Sequence, residues 1–128
     1  MSCSCEVKDH PQITEILSTN SWTRYPFSKK SSQYELAKKQ MKKSPGLCTA
    51  LLKVSSIDGI ERFCNSLQHF LMAVSWGGHE SLVFPSCAAI DKTEFDTENI
   101  NHRLVRFYVG LEDVDYLIGD IDQAFAKM

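Results

Sequence analysis

Hydrophobic residues recur at helical spacing in two stretches of the chain and at alternate positions in another, and these stretches organise the rest. Ile57, Ile60, Phe63, Cys64, Leu67 and Phe70 fall three and four apart, with Glu61, Arg62, Asn65 and Gln68 turned outward. This predicts an amphipathic helix from Ile57 to about Phe70, with Ser55 and Ser56 as its caps. From Arg103 to Val109, the residues Val105, Phe107 and Val109 alternate with Leu104, Arg106 and Tyr108, the period of a strand. A stripe of Val114, Leu117, Ile118, Ile121 and Phe125 predicts a last helix over about Asp113 to Lys127, and its opening acids Glu112, Asp113 and Asp115 suit the positive end of a helix dipole.

Shorter signals fill the remainder. Ser32 is placed to cap a helix running to about Lys43, with Tyr34, Ala37 and Met41 on one face and lysines opposite, and Ser44-Pro45-Gly46 stops it. Leu47 to Val54 crowds apolar residues into a buried strand. Met72 to Trp76 predicts a short strand ending at Gly77-Gly78, and Leu82 to Phe84 another ending at Pro85. Residues 86–102 are polar, with room for one helical turn. His10 to Leu17 has an extended pattern, Ser18 to Ser32 reads as a loop, and residues 1–9 as a frayed, irregular start. The order α-β-α-β-β-β-α predicts an α+β fold, a largely antiparallel sheet with helices on one face. Without an internal repeat or a second boundary, residues 10–128 are expected to form one domain.

Composition supports that size and changes little else. A chain of 128 residues, 43% hydrophobic and 23% charged, suits a single globular core. Its uncharged apolar runs, such as Phe70 to Gly78, are too short to span a bilayer, and no secretory signal pattern opens the chain, so a soluble cytoplasmic protein is expected. Five scattered cysteines (Cys3, Cys5, Cys48, Cys64, Cys87), with no C-x-x-C pair, point to free thiols rather than disulfides or a metal site. Charge is unevenly spread: Arg24 to Lys53 carries eight basic residues and one acidic, Asp91 to Met128 nine acidic and four basic. Lys38, Lys39, Lys42 and Lys43 lack the interleaved aromatics of a nucleic-acid patch and are expected to form a solvated helix face.

Chemistry concentrates in two places. Arg106 projects from the strand face opposite Val105 and Phe107; a guanidinium held on a rigid strand matches a carboxylate in a bidentate fork. The pattern alone favours an outward arginine on a half-exposed sheet. Ser75-Trp76-Gly77-Gly78 packs a hydroxyl, an indole and two glycines into a strand-to-turn junction, which fits either a close approach of backbone to a ligand or a tight turn beside a core tryptophan. His79 and Glu80, adjacent on extended chain, point apart and are assigned no acid–base role. No phosphate-binding glycine loop, nucleophile elbow or His-Glu-x-x-His motif occurs, so no catalytic, cofactor-binding or metal residue is assigned.

Ala73-Val74-Ser75-Trp76-Gly77-Gly78-His79-Glu80-Ser81-Leu82, followed by Leu104-Val105-Arg106-Phe107-Tyr108-Val109-Gly110-Leu111-Glu112-Asp113-Val114-Asp115, resembles the C-terminal signature of the trans-sulfuration (Cys/Met metabolism) pyridoxal-phosphate-dependent enzymes. Cystathionine β-lyase, cystathionine γ-synthase and methionine γ-lyase share these motifs. The likeness extends back through Tyr34-Glu35-Leu36-Ala37-Lys38-Lys39-Gln40-Met41 to His10-Pro11. It departs where Ser44-Pro45-Gly46 stands for a glycine-rich turn and Tyr25-Pro26-Phe27 for a Tyr-Pro-Gly segment.

The resemblance implies the small C-terminal domain of a fold-type I enzyme, in which Arg106 clamps the α-carboxylate of a sulfur amino acid, Ser75 orients substrate and cofactor, and Trp76 lies beside the site. It implies pyridoxal phosphate as cofactor and C–S bond elimination or replacement as the chemistry. The Schiff-base lysine, the other cofactor ligands and the large domain that bears them are expected outside this chain, on another chain or missing, and the chain alone is expected to be inactive. Two other expectations stand beside this one: a non-enzymatic remnant serving as a binding or oligomerisation module, and an independent carboxylate binder using Arg106 and Ser75. A homo-oligomer is compatible with each; a nucleic-acid or membrane partner is not expected.

Overall fold

A computed structural model describes residues 21–42 and 46–128. The expected frayed start, the extended stretch at 10–17, Cys3 and Cys5 lie outside the described residues, as do Lys43, Ser44 and Pro45. Among these residues five strands, β1 (Ser21–Arg24), β2 (Leu47–Leu52), β3 (Leu71–Met72), β4 (Leu82–Pro85) and β5 (Leu104–Tyr108), form one sheet in the order β1-β2-β5-β4-β3. All pairs are antiparallel except β3 with β4, which is parallel. Among the described residues three helices accompany it: α1 (Tyr34–Gln40), α2 (Ile57–Ser66) and α3 (Val114–Phe125). The α+β class and the largely antiparallel sheet are therefore as the sequence predicts.

Alternation along the central strands decides which face is covered. Cys48, Ala50 and Leu52 of β2 and Val105 and Phe107 of β5 are buried, and they meet Ile60, Phe63 and Cys64 of α2 and Leu117, Ile121 and Ala124 of α3 in one core. Phe63 is its hub, with its ring centroid 4.6 Å from Phe125 and 6.1 Å from Phe107, and Phe70 meets Phe107 edge-on at 5.5 Å. The alternate residues of β5, Leu104, Arg106 and Tyr108, stand on the face away from α2 and α3.

The differences from the predicted elements have local causes. Ser18 to Ser32 is not all loop: Ser21–Arg24 pairs with β2 through Ser21↔Leu52 to Arg24↔Thr49. A strand of four residues is too short to show its period, although Trp22 and Thr23 are strand-favouring types. Helix α1 starts at Tyr34, with Gln33 at the cap position, and ends at Gln40, because Met41 turns extended. Ser56 occupies the cap position of α2 without a side-chain bond.

Helix α2 stops at Ser66, four residues before its apolar spacing ends. The Asp120 carboxylate on α3 accepts from the amides of Gln68 (2.8 Å) and His69 (2.8 Å), and the Gln123 amide donates to Ser66 O. These bonds draw the chain out of the helix while Leu67 and Phe70 still reach the core. The predicted strand at 72–76 shrinks to Leu71–Met72, after which the chain crosses towards β5. The excursion at 86–102 contains two short 3₁₀ turns, Ser86–Ala89 and Ile100–Arg103, and Lys92 ties it to α2 through Asp58 and Glu61, each at 2.8 Å.

Candidate functional site

The antiparallel register of β4 and β5 sets Phe84 opposite Arg106 and Leu82 opposite Tyr108. On this face of the sheet, residues 74–78 pass over β5 as a strap. Arg106 Nη2 donates to Val74 O at 2.7 Å and to Ser75 O at 3.2 Å, and Tyr108 Oη donates to Gly78 O at 3.2 Å. The Trp76 ring lies 5.0 Å from the guanidinium and the Phe84 ring 5.5 Å from it, so the cation is flanked by two aromatic side chains. Arg106, Ser75 and Trp76, singled out from sequence as separate features, are thus brought together. Of the two tryptophan readings, the core one fails, because Trp76 is 73% exposed.

Both ends of the strap are fixed to the scaffold. At one end Ala73 N donates to Val83 O. At the other, Leu111 N donates to His79 O, and Glu112 accepts from Ser81 twice, from its amide at 2.7 Å and from its hydroxyl at 2.8 Å. The Ser81 hydroxyl, fully buried, in turn accepts from Gly110 N at 2.9 Å. Gly110 has no room for a side chain, since a Cβ there would lie 2.6 Å from the Glu80 carbonyl carbon and 2.7 Å from Glu112 Oε2. The two long sequence motifs are therefore one structural unit, stitched through Ser81, Gly110 and Glu112. His79 and Glu80, expected to point apart, instead meet as an exposed pair at 3.3 Å.

Sequence reasoning missed Phe84, Tyr108, Ser81 and Glu112. The facing positions of Phe84 and Tyr108 follow from the strand register, and alternation along Leu104–Tyr108 does place Tyr108 on the same face as Arg106. Ser81 gave no signal beyond membership of the motifs, and Glu112, expected as an acid at the start of the last helix, lies before the Asp113 cap and accepts from Ser81 instead.

Among the described residues, the bonds of Arg106 run from Nη2, which leaves the donors on Nε and Nη1 for a carboxylate. Pyridoxal phosphate asks for more: an amine for an imine, an acid for its ring nitrogen and donors for its phosphate. The described partners of Arg106 are two carbonyl oxygens and two aromatic rings, and the Lys92 amine is committed to Asp58 and Glu61. These residues do not fit that cofactor. Nor is any group of three or more His, Cys, Asp or Glu side chains among the described residues placed to hold a metal ion. Cys48, Cys64 and Cys87 are free and buried, and burial pushes Cys48 and Cys64 up to about 12. A shallow hollow lined by Ser55, Asp58, Lys92 and Phe95 lies at the start of α2 and includes none of the Arg106 cluster.

A two-layer α+β domain presenting a strand arginine beneath a Ser-Trp-Gly-Gly strap matches a known class. The family model described as Cys/Met metabolism PLP-dependent enzyme covers residues 7–126, and the chain belongs to that family, which is pyridoxal-phosphate-dependent. It is 38% identical to the L-methionine gamma-lyase of Pseudomonas deceptionensis over 95% of this chain and 30% of that protein. It is 34% identical to the cystathionine gamma-lyase of Bos taurus over 92% of this chain and 28% of that protein. Among solved structures, metB from Corynebacterium glutamicum superposes with a TM-score of 0.72 at 29% identity, over 90% of this chain and 31% of that one. The chain spans about a third of the length of the relatives it matches. No helix among the described residues is long and apolar enough to cross a membrane.

Proposed function

We propose that residues 10–128 act as the carboxylate-gripping domain of a trans-sulfuration enzyme, with Arg106 as the grip, Ser75 orienting the ligand and Trp76 closing over it. The observation that carries this reading is the placement of Arg106: a guanidinium fixed on a central strand, flanked by Trp76 and Phe84, with donors to spare. A sulfur amino acid is the ligand class, because the relatives are named for methionine and cystathionine. Bound pyridoxal phosphate would supply carbanion stabilisation during C–S bond elimination or replacement. It would be held by a large domain outside the described residues, on this protein or a partner chain. This chain's own share is to bind and orient the carboxylate.

The test is a titration of the chain with L-methionine followed by NMR at the Arg106 Nε–H and the Trp76 indole. Binding that is lost in Arg106→Ala and weakened by L-methioninamide, which lacks the carboxylate, is the expected result. Binding unchanged by Arg106→Ala would sink the reading.

A second reading, a binding or oligomerisation module without enzymatic function, is favoured by the exposed row of Leu71, Met72 and Val74 at the β3 edge. The two readings part on Arg106: partner binding or function untouched by Arg106→Ala belongs to the second alone.

A further inference from the structure

The strap is held at its ends by backbone bonds, Ala73 N to Val83 O at 3.2 Å and Leu111 N to His79 O at 2.9 Å. Between those ends, the bonds that fasten it to the sheet come from two side chains of one strand, Arg106 and Tyr108. The tyrosine end carries a second constraint. Gly77 has φ +150°, a conformation side chains rarely adopt, and a Cβ there would lie 2.8 Å from two atoms of the Tyr108 ring. The ring therefore occupies the space a side chain at 77 would need, and its hydroxyl holds the next carbonyl along.

Two adjacent glycines would otherwise leave this turn loose, and the looseness would fall on the residue before them. That residue is Trp76, which stacks on Arg106 of the sheet. We propose that Tyr108 is a positioning residue of this site: by clamping Gly77 and Gly78 against β5, it sets the Trp76 ring over the Arg106 guanidinium and fixes the Ser75 carbonyl on Nη2. The ligand arm of this inference rests on the carboxylate reading of Arg106; the stack itself is measurable without ligand.

The experiment uses the full chain with Tyr108→Phe, which keeps the ring and removes the hydroxyl, and Tyr108→Ala, which removes both. Without ligand, the ring current of Trp76 shifts the Arg106 Nε–H signal, and the size of that contribution is defined by Trp76→Ala. The expected result is a partial loss of the shift in Tyr108→Phe and a near-complete loss in Tyr108→Ala, with the amide signals of Val105 and Phe107 unmoved. In the L-methionine titration, Tyr108→Phe weakens affinity by about threefold to tenfold, the factor that one hydrogen bond's net contribution corresponds to. That factor disappears in a Trp76→Ala background, since Tyr108 acts through the stack; a merely structural tyrosine would keep its effect there.

Retention of the full ring-current shift in a folded Tyr108→Ala chain would overturn the proposal. Should Tyr108→Ala not fold, Tyr108→Phe decides by the same signal. If the parent chain shows no response to L-methionine at all, the carboxylate reading falls, and the ligand-free arm still settles the role of Tyr108.

Discussion

Asp120 shows how one buried side chain can fix a corner of this molecule. It is 4% exposed, and its two oxygens accept from the amides of Gln68 and His69, with Gln123 Nε2 donating to the same carboxylate. No other described residue accepts from those amides, which lie just beyond the end of α2. Asp120→Ala is expected to strand them and to destabilise the chain by about 1–3 kcal/mol, the cost of burying unsatisfied polar groups. Urea unfolding checks this: the midpoint falls with the slope unchanged. The carboxylate was invisible in the sequence, where Asp120 reads as one more acid on the polar side of an amphipathic helix. The same holds at the site. Arg106, Ser75 and Trp76 are singled out in the sequence by the resemblance, which implies a role for each, while Phe84 and Ser81 look like ordinary members of a strand and its approach until register sets Phe84 opposite Arg106 and hydrogen bonds set Ser81 beside Glu112.

Elements were legible in proportion to the length of their period. Helix α3 shows all five stripe residues buried or packed on the core, and β5 alternates as predicted. Helix α2 is shorter than its apolar spacing, because Leu67 and Phe70 continue that spacing after the backbone has left the helix, a tertiary override by Asp120. Strand β1 was missed because it exists through its pairing with β2 and carries little local signal. One cap was half foreseen: Asp113, expected as a favourable charge at the start of α3, is its N-cap, accepting from Asp115 N at 3.0 Å and Tyr116 N at 3.3 Å. Asp113→Ala should cost about 1 kcal/mol, the usual worth of such a cap, whereas Asp113→Ser should retain most of it. Equal losses in the two variants, measured by urea unfolding, would assign the effect to the charge rather than the cap.

At the scale of the whole molecule, a single core joins β2, β4 and β5 to α2 and α3, so cooperative unfolding is expected and its pH dependence has a definite sign. Cys48 and Cys64 lie in that core, and burial raises both thiols from 9.0 to about 12. Below pH 9 these thiols carry their protons in both states and do not alter the balance. Between pH 9 and about 12 the unfolded chain loses thiol protons that the folded chain keeps, so the unfolded state gains and stability falls as pH rises. The expected outcome is a urea midpoint that declines through that window and declines less in Cys48→Ala, once each variant is referred to its own value at pH 8. The same burial predicts that iodoacetamide at pH 8 leaves Cys48 unlabelled in the folded chain and labels it after unfolding, because the thiolate is the nucleophile and the fold withholds it. Labelling of native Cys48 at the rate of an exposed thiol would contradict the core position from which both expectations follow.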